Sequence, residues 1–373
     1  MADTPDPNMT LQRSSRELDS VRGALETWLA TVLPPGAGPA VTLHSGIDAN
    51  GMSSETLVLD VDWTEDGAPR KGEYVARVAP AAEDFPVFAS YDLPGQRELI
   101  RQVGELTEVP VPAVSHLEPT GSVLGTPFFL MERIDGLVPQ DVLPYNFGDN
   151  WLFDASPEEQ ARLQRNSVAV LADLHAIPDA AGTFAHLDPA GTGTALARNL
   201  EQARAWYEFA THDIGRSTLV ERALTWLQAN LPDTDEAVLC WGDARIGNIM
   251  YRDFAPVAVL DWEMATLGPR QLDVSWMAFA HKVFESITGL MEMPGMPDFL
   301  REEDLVATYR ELTGVDLGDL SWYHVYNGML WCVVFMRTGA RQIHFGEIER
   351  PDEVEALFHC RALVERILEE VGA

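Results

Sequence analysis

Strand-like patterning is concentrated in the first third of this 373-residue chain, and helical patterning dominates the rest. From Leu57 to Trp63 the apolar residues recur with a period of two, Asp66-Gly67 supplies a turn, and residues 72–78 form a second strand-like run. This pattern predicts a β-hairpin, because a half-buried strand turns alternate side chains inward. A β-rich first third followed by helices predicts an α+β fold with two lobes.

Helical periodicity covers residues 18–32 and returns after residue 136. Ser156 and Glu159 form a capping box with Pro157 between them, and this box predicts the start of a helix. Further helices are predicted at residues 197–230, 272–288, 301–312, 321–343 and 352–371.

The length also favours two lobes, since 373 residues exceed what one compact core usually organises. We place a β-rich N-terminal lobe at residues 1–135 and a helical C-terminal lobe at 136–373. The first ten residues are expected to form a tail, because they contain two prolines and no apolar period.

The chain carries 26 basic and 58 acidic side chains, which give a formal charge of −32. A surface this negative repels nucleic acid and anionic membranes and would attract a cationic substrate, although solubility alone also explains it. Three cysteines without a CxxC pair argue against a disulfide framework or a zinc site. Without a signal peptide or a long apolar stretch, the sequence predicts a cytoplasmic protein with no membrane partner.

The most informative positions are Asp243, Asn248 and Asp261. Phosphoryl transfer needs a carboxylate that orients the attacking hydroxyl and takes its proton, together with oxygen ligands for magnesium. Kinase catalytic loops supply an Asp, an Asn five positions later and a second Asp beyond the next strand. Separately, Asn248 could stabilise a turn and Asp261 could cap a helix. Their combination, with the apolar strand 257–260 before the second Asp, favours catalysis.

The residues around these positions complete a longer pattern, which is Trp241-Gly242-Asp243-x-Arg245-x-Gly247-Asn248, Leu260-Asp261-Trp262-Glu263, Gly268 and Asp273-Val274. This pattern resembles the aminoglycoside phosphotransferase-like family, in the branch related to the kinase-like domain of some acyl-CoA dehydrogenases. The resemblance covers about residues 40–345. It implies a bilobal protein-kinase-like fold, with ATP and Mg²⁺ as cofactors. Asp243 would then be the catalytic base, and Asn248 and Asp261 the metal ligands.

The resemblance also implies a nucleotide-binding loop between the first two strands. Gly51, Ser53, Ser54 and Thr56 occupy it, and their backbone N–H groups and hydroxyls could reach the phosphates. The alternative is an ordinary hairpin turn.

On the third strand the family usually carries a lysine that contacts phosphate and pairs with a glutamate. Here the implied pair is Arg77 with Glu98, and a guanidinium can also bind phosphate. A surface ion pair is the alternative. Backbone groups near Glu132 and Ile134 correspond to the hinge that would face the adenine.

Further positions acquire roles by the same resemblance. Trp241 stands where many relatives carry histidine, which mostly braces the catalytic loop. Arg245 is expected to brace the loop or balance its charges, and Asp273 to support the loop from behind. Glu263 is either an additional carboxylate on the metal side or a structural hydrogen-bonding group. Trp322, His324 and Tyr326 are candidates for acceptor contact, although an aromatic helix of this kind is mostly core.

These observations predict an ATP-dependent phosphotransferase that acts on a hydroxyl of a small molecule, including a cationic one. A nucleotide-binding pseudokinase is the first alternative. A protein kinase is the second, and the missing Asp-Phe-Gly and Ala-Pro-Glu motifs count against it. The identity of the acceptor, the choice between ATP and GTP, and the oligomeric state stay open.

Overall fold

A five-stranded antiparallel sheet forms the first part of the computed structural model, which describes residues 17–44, 54–141, 143–188 and 191–373. The predicted tail and the loop positions Gly51 and Ser53 lie outside these ranges. The strands pair in the order β1-β2-β3-β5-β4. They are β1 Ala40–His44, β2 Glu55–Glu65, β3 Ala68–Val78, β4 Val114–Glu118 and β5 Phe128–Glu132.

One face of this sheet is covered by helix α1, Leu18–Val32. Its buried residues, which include Leu25 and Leu29, pack with Leu59 of β2 and Phe128 of β5 in a small core of their own. The period-two pattern of β2 and the helical period of α1 therefore meet in one apolar layer.

The opposite face of the sheet points toward the helical part of the chain. In β3, Ala76 and Val78 belong to the layer under α1, so the intervening Arg77 projects to the other side. Arg77 lies opposite Thr56 of β2 and Phe129 of β5. Strand alternation thus fixes which way its guanidinium points.

The remainder of the described chain is mostly helical and encloses a second, larger core. The helices are α2 Leu93–Leu106, α3 Pro157–His175, α4 Ala180–Thr183, α5 Ala195–Ile214, α6 Thr218–Ala229, α7 Gln271–Leu290, α8 Glu302–Thr313, α9 Ser321–His344 and α10 Arg361–Glu370. Two short antiparallel pairs interrupt them, formed by β6 Val238–Cys240 with β9 Thr266–Gly268 and by β7 Ile249–Arg252 with β8 Ala255–Val259. The predicted α+β arrangement is confirmed.

Two helix predictions need correction. The segment predicted as one helix over 197–230 is divided into α5 and α6, because Gly215 adopts φ +99° and the Ser217 side chain caps α6. The segment 352–371 contains a short 3₁₀ turn before α10 begins at Arg361. By contrast, the capping box of Ser156 and Glu159 at the start of α3 is present as predicted.

Within the described part of the chain, no helix has the length and apolar character needed to cross a membrane.

Replacing Leu25 tests the small core under α1. Leu25 is fully buried, so Leu25→Ala should lower the free energy of unfolding by about 2–5 kcal/mol. Leu18→Ala is the matched control on the same helix, because Leu18 is 52% exposed, and it should change stability by less than about 0.5 kcal/mol. Urea denaturation followed by circular dichroism measures both. Equal effects would contradict the packing described for α1.

Candidate active site

The loop between β6 and β7 carries the predicted catalytic residues. It leaves β6 through Gly242, whose φ is +90°, a conformation that only glycine adopts readily. A Cβ on Gly242 would also lie 2.0 Å from the carbonyl oxygen of Met264. The loop can therefore approach the chain after β8 closely only with glycine at this position.

The buried carboxylate of Asp273 on α7 holds the start of this loop. It accepts hydrogen bonds from the backbone N–H of Trp241 at 2.7 Å and of Gly242 at 2.9 Å. Nε2 of His175 lies 3.1 Å from the same carboxylate. These contacts place Asp273 behind the loop, where the sequence predicts it.

Trp241 connects this loop to the segment after β8, which contains Asp261. Its fully buried indole donates through Nε1 to the carbonyl oxygens of Leu260 at 3.0 Å and Asp261 at 3.1 Å. Asp261 itself adopts the left-handed conformation, with φ +58°. Trp241 therefore braces the backbone that positions Asp261.

Three donors orient the carboxylate of Asp243. They are Nε1 of Trp276 at 2.8 Å, Nδ2 of Asn248 at 2.7 Å and Nε of Arg245 at 3.0 Å. Arg245 also forms an ion pair with Asp141, so it balances two carboxylates. Asp243 and Asn248, separated by five positions in the sequence, are thus in direct contact.

Sequence reasoning missed both Trp276 and Asp141. Trp276 lies three positions after Asp273 on α7, and residues at this spacing share a helix face, so the helical period was a usable signal. Asp141 lies 104 positions from Arg245 in the chain, and no local pattern connects them.

The predicted pair of Arg77 with Glu98 is wrong. Nη2 of Arg77 lies 3.1 Å from Asp261 and 2.7 Å from Glu263. Glu98 instead accepts from Nε of Arg101 at 2.9 Å, because the two residues are three positions apart on α2. Glu98 therefore stabilises its own helix, and Glu263 is the glutamate that pairs with Arg77.

The two residues predicted at the hinge, Glu132 and Ile134, differ in whether their backbone N–H groups already have a partner. The backbone N–H of Glu132 donates to the carbonyl oxygen of Ala113 at 2.8 Å, which leaves it engaged in the sheet edge. Among the described residues, the backbone N–H of Ile134 has no such partner. Of the two predicted hinge residues, Ile134 is the one with a donor available for a base.

Electrostatics and hydrogen bonding at the loop fit a hard cation. Burial raises the pKa of Asp261 above its usual range, and the carboxylates of Glu263 and Asp243 add to this rise, whereas Arg77 opposes it. Oε2 of Glu263 is buried without a hydrogen-bond donor among the described residues. Asn248, Asp261 and Glu263 offer side-chain oxygens, which are the ligands that Mg²⁺ prefers.

A second cluster, of His175, Cys240 and Asp273, could in principle hold a metal, since its ligand atoms lie within 4.8 Å of one another. Asp273 already accepts from two backbone N–H groups, and Nδ1 of His175 lies 2.8 Å from the hydroxyl of Tyr309. These contacts give the cluster a structural role. A metal at Asp261 remains the better fit.

A cavity of about 420 Å³ opens beside the catalytic loop. Gly242 and Trp276 line it, which places it next to the carboxylate of Asp243. Tyr326 of α9 also lines it, and its contact with the acceptor stays a prediction.

The other two predicted acceptor contacts lie elsewhere. Trp322 is buried behind Tyr326, stacked on it at 5.3 Å, with Nε1 donating to the carbonyl oxygen of Leu227. His324 lies 2.8 Å from Glu302 at the start of α8. Neither residue lines the cavity. Trp322 lies one helical turn before Tyr326 on the same face of α9, and His324 projects from a different side of the helix.

The fold and this site are of the type found in kinase-like phosphotransferases. The sequence profile of the phosphotransferase enzyme family matches residues 61–292, more than half of the chain, and the chain belongs to that family. The resemblance found from the motif around Asp243 is therefore confirmed.

Among curated proteins, the chain is similar to Probable acyl-CoA dehydrogenase IBR3 of Arabidopsis thaliana, with 29% identity over 68% of this chain and 31% of that protein. It is 28% identical to acyl-CoA dehydrogenase family member 11 of Rattus norvegicus, over 57% of this chain and 27% of that one. The chain thus spans less than a third of the length of these relatives.

Among solved structures, a Ralstonia eutropha protein named after the aminoglycoside phosphotransferases matches with a TM-score of 0.65 and 20% identity, over 93% of this chain and 97% of that one. A mutant of aminoglycoside phosphotransferase APH(4)-Ia, in complex with AMP-PNP and hygromycin B, matches with a TM-score of 0.53 and 16% identity, over 94% and 99%. These matches show a shared fold and confirm the predicted bilobal kinase-like architecture.

Removing the carboxylate behind the loop should destabilise the protein. In Asp273→Ala the N–H groups of Trp241 and Gly242 lose a buried acceptor, at a cost of about 2–4 kcal/mol in the free energy of unfolding. Asp298→Ala serves as the control, because that side chain is 95% exposed. Urea titration compares the two, and a neutral Asp273→Ala would argue against this anchoring role.

Glu302 gives a prediction about acidity. Burial alone would raise the pKa of Glu302, but contacts with His324 and Lys282 lower it to about 2, from a usual value of 4.5. A lowered carboxyl pKa stabilises the folded state above pH 4.5, and this contribution disappears as the pH falls toward 2.

We therefore expect Glu302→Gln to lower the urea midpoint at pH 7, and the difference from the unmodified protein to shrink below about pH 4.5. Glu303→Gln, at the neighbouring position with a side chain 71% exposed, is the matched control. A difference that stays constant from pH 7 to pH 3 would rule out the ion-pair contribution.

Proposed function

We propose that this protein transfers the γ-phosphoryl group of ATP to a hydroxyl group of a small molecule, with Mg²⁺ bound at the catalytic loop. The observation that carries the proposal is the contact of Asn248 with Asp243, on a loop whose Trp241 also holds the backbone of Asp261, next to an open cavity. In this proposal residues 1–135 bind the nucleotide, and residues 136–373 supply the catalytic loop and the acceptor site.

Asp243 acts as the base. Its carboxylate is held by Trp276, Asn248 and Arg245, and Trp276 itself lines the cavity in which an acceptor would bind. The acceptor oxygen forms a bond to the γ-phosphorus while the bond to the β–γ bridging oxygen breaks, ADP leaves, and the hydroxyl proton passes to Asp243.

Asn248 and Asp261 hold the metal, and Glu263 provides a further carboxylate nearby. Bound there, Mg²⁺ would neutralise charge on the phosphate oxygens. Arg77 binds phosphate from the side of the sheet. Nη2 of Arg77 contacts both Asp261 and Glu263, and the other donors of the guanidinium remain for phosphate.

Two further groups support nucleotide binding. Oγ of Ser54, at the start of β2, is buried and has no hydrogen-bond partner among the described residues, as expected of a hydroxyl that meets a phosphate. The backbone N–H of Ile134 could meet the adenine edge in the same way. Gly51, Ser53 and Thr56 complete the proposed loop.

The length of the segment after Asp261 favours a small acceptor over a protein. Only nine residues separate Asp261 from the first residue of α7, Gln271, and three of them form β9 against β6. A protein kinase needs a longer segment there to dock a peptide. The intact set of Asp243, Asn248 and Asp261 likewise favours catalysis over a non-catalytic nucleotide sensor.

Asp243→Ala tests the proposal. We expect turnover to fall by about 10³-fold or more, because the group that orients and deprotonates the hydroxyl is lost, while Mg-ADP binding is largely kept. A panel of aminoglycosides, sugars and amino alcohols with Mg-ATP, followed by ADP release, identifies an acceptor. Isothermal titration then measures the affinity of each variant for Mg-ADP.

Asp235→Ala, an exposed aspartate near the same loop in sequence, is the matched control and should keep full activity. An Asp243→Ala variant that turns over at the normal rate would refute the assignment.

A further inference from the structure

The cavity beside the loop of Asp243 is lined by several aromatic side chains, together with polar ones such as Gln96 and Thr266. Its Phe, Tyr and Trp lining residues come from five separate segments of the chain. They are Phe88, Tyr91, Trp206, Trp262, Trp276 and Tyr326. Aliphatic side chains such as Leu99 and Leu330 fill positions between them. Walls of this kind bind an apolar or cationic body, since aromatic faces attract both.

Carboxylates outnumber basic groups around the cavity. Asp92 and Glu263 contribute carboxylates, and His186 is the one basic side chain among the lining residues that the structure describes. The guanidinium of Arg77 lies next to Glu263 but is engaged by Glu263 and Asp261. An anionic group in this cavity would find two carboxylates and one histidine, because Arg77 is not among the described lining residues.

One buried acceptor in the lining lacks a donor. Oδ1 of Asn327, a residue only 1% exposed, has no hydrogen-bond partner among the described residues. The hydroxyl of Ser275 donates to the carbonyl oxygen of Leu272, so its Oγ can only accept from Asn327. Nδ2 of Asn327 donates to that Oγ at 2.9 Å, which fixes the orientation of the amide. The cavity thus offers an amide oxygen to a ligand that brings an N–H donor.

The aromatic wall is held in place without a ligand. Phe88 stacks on Trp206 at 4.9 Å, and Nε1 of Trp206 donates to the carbonyl oxygen of Val87 at 3.1 Å. From α9, the buried Arg337 donates to the carbonyl oxygen of Pro86 at 2.6 Å. The segment between β3 and α2 is therefore fixed to the helical part, and a ligand does not have to order it.

We propose that the acceptor is an amino alcohol with an apolar body: the body packs against the aromatic wall, the ammonium group meets Asn327 and the nearby carboxylates, and the hydroxyl reaches Asp243. This inference rests on the proposed function. It separates the acceptor from hydroxy acids, which carry the wrong charge, and from polyhydroxylated molecules, whose hydroxyls would be left unpaired against the rings.

Three probes with the same phenyl body test the class. They are 2-amino-4-phenylbutan-1-ol, 4-phenylbutan-1-ol and 2-hydroxy-4-phenylbutanoate, which differ in charge and each carry a hydroxyl. Isothermal titration in Mg-ADP should give the amino alcohol about tenfold tighter binding than the neutral alcohol. The hydroxy acid should bind at least tenfold more weakly than the neutral alcohol. The proposal is overturned if the hydroxy acid or kanamycin binds as tightly as the amino alcohol, or more tightly.

Variants of the lining assign the contacts. Asn327→Leu should remove the advantage of the amino alcohol and leave the neutral alcohol unchanged, whereas Asn327→Asp should keep or increase that advantage. Trp206→Ala should weaken all three probes about tenfold. Trp226→Ala, on α6 and outside the cavity lining, is the matched control and should leave the binding of all three probes unchanged. Circular dichroism and Mg-ADP binding verify that each variant is folded.

The two proposals fail separately. The amino alcohol can bind in the expected order while mass spectrometry detects no phosphorylated product with Mg-ATP; that result overturns the phosphotransferase and keeps the ligand class. ATP-dependent phosphorylation of a hydroxy acid, with no binding of the amino alcohol, overturns the ligand class and supports the phosphotransferase.

Discussion

The buried carboxylate of Asp273 is the contact on which the arrangement of the site depends. A buried charge is stable only when donors surround it, and here two backbone N–H groups of the catalytic loop and the ring of His175 do so. One helical turn later, Trp276 donates to Asp243. A single helix, α7, therefore sets both the path of the loop and the orientation of its carboxylate.

The second constraint is the contact between the sheet and the loops. Arg77 leaves β3 on the face turned away from α1 and reaches Asp261 and Glu263 across the junction. Asp261 is fixed from the other side by Trp241, which donates to its carbonyl oxygen. The two parts of the molecule thus meet through charged groups that are held on both sides, at the place where a triphosphate would carry opposite charge to Arg77.

Local patterns in the sequence predicted the sheet, most helices and the closeness of Asp243 and Asn248, because each depends on neighbours within a few positions. The pairing of Arg77 was predicted wrongly, since its partners Asp261 and Glu263 lie more than 180 positions away while Glu98 was closer in sequence. The division of the helix near Gly215 was missed because a glycine in a helical pattern does not by itself indicate a break. Asp141, far from Arg245 in the chain, could be found only in three dimensions.

The indole of Trp241 has a consequence for how the loop responds to its surroundings. A histidine at this position could gain or lose a proton between about pH 5 and 8, and its hydrogen bonds would change with its charge. An indole N–H is only a donor and has no ionisation in this range. The bridge from Trp241 to the backbone of Leu260 and Asp261 therefore stays the same when the solution becomes mildly acidic.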